Sequence, residues 1–222
     1  MKQTRTDIKM ENQRFLYVVF EKTTLGMGKF IRLVTGFPYN HAGISISPKI
    51  EQICSFSRRY KNAPFYGGFV EESPLRLKGK TKIAKIMICA VPVSEEDFFA
   101  AKSKLGFLSE HSEEYIYNMI SAAVFPFGKR VRIEKSFTCA EFVLGFLKKY
   151  AKVPALKNRN FCSIRELCEI LSPYKIYEGS AEKFLFGAGW GKVSFPEKRG
   201  ELFCLRKTAE NNAELLKRFI KK

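Results

Sequence analysis

Histidine is nearly missing from this chain. Only His41 and His111 occur in 222 residues, and none of the six cysteines forms a C-x-x-C pair. A structural zinc site has too few suitably spaced ligands, and a disulfide framework has no pattern to build on. Acidic side chains are also short: 22 stand against 39 basic ones, for a formal charge of +17. That imbalance implies nothing about fold, but it favours anionic ligands or surfaces over cationic ones. Long apolar runs are absent too. Ile86 to Val93 and Ile120 to Phe127 fall well short of the roughly 20 residues a spanning helix needs, so no transmembrane segment is expected. The first thirteen residues lack the apolar core of a secretory signal, and the expectation is a cytoplasmic protein with reduced cysteines. No motif for reading RNA or DNA frames the basic residues. Gly187-Ala188-Gly189 lacks the strand–helix frame and following lysine of a phosphate loop. No cofactor and no metal are implied.

What the sequence does have is apolar bulk. Hydrophobic residues make up 45% of it, with 21 phenylalanines, enough for one good-sized core. We read a loose tail over 1–13 and a single domain over 14–222. Phe15 to Phe20 is a continuous β-forming run that suits a buried strand. Helical spacing predicts a short helix over 26–35. His41 to Ser47 alternates, placing Ala42, Ile44 and Ile46 on one face and His41, Gly43 and Ser45 on the other; the small residues beside the histidine would let a helix approach closely. Pro48-Lys49 turns the chain into a return strand over 50–57, so that Ser55 or Ser57 comes opposite His41 and can orient its ring.

Further along, 64–72 reads as a loop entering a short strand, and 82–91 as a strong strand. Helices are expected over 94–108 and 115–124. His111 sits in a polar connection and is set aside. Ser163 and Glu166 mark a capping box for a helix over 164–171. Strands are expected at 175–178 and 201–205, and a basic helix over 209–222.

The most informative stretch is Ser136-Phe137-Thr138-Cys139-Ala140-Glu141-Phe142-Val143. Thr138 fits an N-cap and Glu141, three residues on, completes a capping box. Cys139 is then the first helical residue, where unpaired N–H groups and the positive end of the helix dipole favour a thiolate, the nucleophilic form. Phe142, Val143, Phe146 and Tyr150 follow at helical spacing, so the helix is amphipathic and packed.

Taken together, Thr35-Gly36, Tyr39-Asn40-His41-Ala42-Gly43-Ile44 and Phe137-Thr138-Cys139-Ala140-Glu141-Phe142-Val143, followed by Ser163 to Leu167 and Ile176 to Gly179, resemble the circularly permuted branch of the NlpC-type papain-like cysteine hydrolases, the group that includes lecithin retinol acyltransferase-like enzymes. The resemblance covers about residues 15–180. It implies an α+β fold in which a central antiparallel sheet carries the histidine and packs against the cysteine helix. It further implies Cys139 as nucleophile, His41 as general base, and a polar residue on the next strand, Ser55 with Ser57 as runner-up. Other members place a carboxylate, amide or second imidazole there, and a serine can fix a tautomer without balancing the charge of an imidazolium. Tyr39, Thr138 and Glu141, from the same motifs, are the expected substrate-binding residues.

The chemistry expected is cleavage of a peptide-like amide through a thioester. Acyl transfer or lipase action on lipid esters is the alternative, for which the basic surface and the run Phe125, Phe127, Phe137 and Phe142 would suit an acyl-lipid or anionic ligand. A non-catalytic basic binding module on the same scaffold is the third reading.

Overall fold

The computed structural model describes residues 13–22, 37–72, 83–185 and 198–221. The helix expected over 26–35 lies outside them. Eight strands form one sheet: β1 (Arg14–Glu21), β2 (His41–Ser45), β3 (Ile53–Arg58), β4 (Gly67–Glu72), β5 (Lys85–Val93), β6 (Ile116–Tyr117), β7 (Ser136–Phe137) and β8 (Lys175–Ser180). Their order is β7-β6-β4-β3-β2-β1-β5-β8. Among the described residues six α-helices accompany them: α1 (Glu95–Glu110), α2 (Met119–Val124), α3 (Cys139–Tyr150), α4 (Ile164–Leu171), α5 (Glu182–Leu185) and α6 (Glu201–Ile220). The architecture is mixed α+β. The sheet is not wholly antiparallel as expected, because β6 and β7 run parallel, pairing Ile116 with Ser136 and Tyr117 with Phe137.

One sheet face carries Leu16, Val18, Phe20, Ala42, Ile44, Cys54, Phe56, Phe69, Met87, Cys89 and Val91, and α1, α3 and α4 cover it. Phe56 is the hub. Its ring lies 5.2 Å from that of Phe137 and 5.4 Å from that of Phe142, edge-on or tilted, the arrangement aromatic quadrupoles prefer. Phe137 and Phe142 are therefore core, while Phe125 lies tilted against Phe161 and Phe127 is exposed. The other face holds a smaller cluster of Val19, Ile50, Ile53, Ile86 and Ile88.

This corrects the expected helix approach. α3 packs over Ala42 and Ile44, where apolar area can be buried, and not over the small residues beside His41. A side chain at Gly43 would run into Ile53 and Ser55 of the neighbouring strand. The glycine makes room within the sheet.

Two further expectations change. Residues 115–124 are a short strand and then a helix, divided by Asn118, whose side chain accepts from the Ser121 N–H as an N-cap. Residues 201–205 open α6, which starts after Gly200 and continues without a break; the four-residue apolar run Leu202 to Leu205 does not by itself distinguish helix from strand.

Candidate functional site

Both elements that carry the candidate pair are fixed by their own sequence. The capping box at Thr138 is complete: Thr138 Oγ1 accepts from the Glu141 N–H at 3.2 Å, and Glu141 Oε2 accepts from the Thr138 N–H at 2.8 Å. Glu141 is more than a cap. Its other oxygen accepts from Ser121 Oγ and from Arg130 Nε, each at 2.8 Å, so a buried carboxylate has hydrogen bonds on both oxygens and a cation beside it, as burial requires. The first helical position is thereby pinned, and it belongs to Cys139.

His41 opens β2 and pairs with Glu21, the last residue of β1. Its imidazole lies near enough to the Cys139 sulfur for that group to act on its charge, although the two residues are far apart in sequence. Nε2 lies 3.2 Å from Ser55 Oγ and 3.3 Å from Glu72 Oε1. Ser55 donates its own hydroxyl proton to that same Glu72 oxygen at 2.5 Å, which leaves its lone pairs to accept from the ring. Ser55 is thus the serine that reaches His41, as expected, and behind it stands a carboxylate from the next strand.

The electrostatics follow from this geometry. Burial works against a charge on the His41 ring, but the Glu72 carboxylate and the Cys139 sulfur outweigh it, and the pKa is raised well above the usual 6.5. Cys139 and His41 are 7% and 8% exposed, so solvent screens the pair little. Burial pushes the Cys54, Cys162 and Cys168 thiols up, and that of Cys89 up to about 12. Those four cysteines are held as neutral, packed thiols.

The remaining candidates have structural partners. Tyr39 donates to Glu178 Oε1 at 2.8 Å, and its hydroxyl pKa is raised, first by burial and then by that carboxylate. Thr138 bonds within the cap, and Glu141 divides its bonds between the cap, Ser121 and Arg130. His111 is exposed and bonded to Glu114. Tyr117, held up in pKa by burial and by the charges of Cys139 and Glu141, belongs to the surroundings of the sulfur and was not anticipated.

Glu72 and Glu21 were not anticipated either. Each is a buried carboxylate at the end of a strand, and the only signal would have been a charged residue closing a run of strand formers. With His41 they form a group whose donor atoms all lie within 4.8 Å of one another. Such a set could hold a divalent cation, but an imidazolium between two carboxylates already supplies a positive charge there. Compared with known proteins, the chain matches no family model, no curated protein and no solved structure.

Proposed function

We propose that the chain is a thiol hydrolase that cleaves a peptide-like amide through an acyl-enzyme on Cys139. One observation carries the reading: a single imidazole has both a thiol at a helix N-terminus and a serine-backed carboxylate as neighbours. That is the order of parts a nucleophile, a base and an orienting group require.

Because Nε2 faces Ser55 and Glu72, Nδ1 is the nitrogen we assign to the sulfur. In the resting site we place the thiol proton already on the ring, so that an imidazolium balanced by Glu72 faces the sulfur as an ion pair. The thiolate attacks the carbonyl carbon. The capping box uses the N–H groups of Thr138 and Glu141, and we assign those of Cys139 and Ala140 to the oxyanion, where the helix dipole adds to them. The intermediate collapses as the imidazolium protonates the leaving amine, and a thioester remains on Sγ. Water, deprotonated by His41, then releases the acid. A second acceptor in place of water would make the same site an acyltransferase.

The test is chemical. With a chloromethyl or iodoacetamide probe and peptide mass mapping, Cys139 is expected to label first and by a wide margin, since Cys54, Cys89, Cys162 and Cys168 are buried and poorly ionised. An activated amide or ester donor is expected to leave an acyl mass on the parent chain and none on Cys139→Ala. Equal labelling of all six cysteines would falsify the proposal.

A further inference from the structure

Helix α6 is held firmly by one side and bare on the other. Cys204 is buried with Ala63 and Tyr66, and Leu215 with Ile116 and Ile133. Arg218 Nη1 donates to the Glu114 carbonyl at 3.0 Å, and the Phe203 ring lies against that of Tyr60. The helix is thus anchored to the strand edge formed by β4, β6 and β7, the edge from which the chain enters Cys139. Its exposed side carries an apolar strip along its length, flanked by Arg206, Glu210 and Lys217. Leu202, Leu205, Ala209, Ala213, Leu216 and Ile220 are all exposed, with Leu202 at 82%, Leu205 at 68% and Ile220 at 79%. At about 100° per residue they fall within a stripe about 80° wide. A soluble surface seldom leaves a continuous stripe of this kind without a use for it.

We propose that this stripe seats the protein on an anionic lipid surface, lying in the interface and not crossing it. Three observations favour that occupant. No described helix is long and apolar enough to span a bilayer, whereas a helix apolar on one side and polar on the other suits the headgroup boundary. Arg206 and Lys217 border the stripe, their side chains 70% and 63% exposed, with long stems that can run along it while their charges reach phosphate. The acidic residues on the helix interior are already matched: Glu210 is shared by Arg206 and Lys207, and Glu214 by Lys217 and Arg218. With +17 overall, an anionic sheet of headgroups draws the molecule in, while a second copy brings like charge to the same face. The assignment is independent of the chemistry at Cys139.

The experiment is co-sedimentation of the full chain with vesicles of mixed phosphatidylglycerol and phosphatidylcholine, alongside vesicles of phosphatidylcholine alone. Binding is expected to the mixed vesicles, to weaken with added salt, and to fall at least tenfold in L205E/L216E, with the melting temperature of that variant unchanged because both leucines are exposed. Failure of the parent to sediment with the anionic vesicles overturns the proposal, as does a folded L205E/L216E that sediments as the parent does. Light scattering that finds a parent dimer which the double variant converts to monomer also overturns it, since the stripe would then be a protein interface.

Discussion

Glu72 reaches His41 from two strands away. With β3 between their strands, its carboxylate still lies 3.3 Å from Nε2 and accepts the hydroxyl proton of Ser55 on the way. The charge that Ser55 alone could not supply is present, delivered from a strand that the motifs do not include.

Removing that charge is the most direct test of the arrangement. Glu72→Gln keeps the shape but takes away the negative partner, and the rate of Cys139 acylation is expected to fall by roughly two to four powers of ten, as when the third member of a triad is neutralised. Glu72 raises the His41 pKa against the pull of burial, so the alkaline limb of the pH–rate profile should move to lower pH in this variant. Ser55→Ala removes the hydrogen bonds to His41 and Glu72 but leaves the charge, and should cost less, about ten- to a hundredfold. A pH–rate series on both variants separates the two effects; equal losses with an unmoved limb would rule the arrangement out.

Gly43 controls the same serine from the next strand. A Cβ at this position would stand 3.2 Å from Ser55 Cβ and press on Ile53. Gly43→Ala should therefore reduce stability and turnover together, because its Cβ would run into Cγ2 of the fully buried Ile53 and also press on the backbone of Cys54 and on Ser55. Steady-state kinetics set beside urea denaturation will show whether both quantities fall.

The capping box should be measurable as folding free energy. Thr138→Ala loses one N-cap bond and is expected to cost about 1 kcal/mol. Glu141→Ala strips a buried carboxylate from Arg130, Ser121 and the Thr138 N–H, and the cost should rise to about 3 kcal/mol. Chemical denaturation orders the two; a Glu141→Ala penalty no larger than that of Thr138→Ala would mean the Arg130 contact contributes nothing.

Stability should also depend on pH with a definite sign. His41 has a folded pKa raised well above 6.5, so between these two values the folded state binds the extra proton. Its contribution is complete below about 6.5 and is lost as pH rises through the folded value, at up to about 1.4 kcal/mol per pH unit. Unfolding free energy followed from neutral to alkaline pH should decline in the parent, and the His41→Gln variant should lack that component of the slope.

Much of this site was legible from local sequence, and the reason is range. Both capping boxes, at Thr138 and at Ser163, are four-residue patterns whose partners lie within one turn, and both form as read. Ser55 could be located by counting through a tight turn. Glu72 could not, because its role depends on the β3–β4 register that sets it opposite Ile53 and on a reach across a strand that no local pattern encodes. The side of β2 that α3 would cover was misjudged for a similar reason: small residues beside His41 suggested a close helix, when the neighbouring strand was what needed the space. At 201–205, strand preference over five residues gave way to a helix of twenty, whose length and anchoring contacts decided the conformation.

The β6–β7 pair, short as it is, has a bearing on when the pair of reactive groups comes into being. His41 is carried early in the chain and Cys139 late, just after β7, whose Phe137 carbonyl accepts from the Asn118 N–H. On the proposed reading, a chain ending after β5 would carry the imidazole without its sulfur partner and could not form an acyl-enzyme.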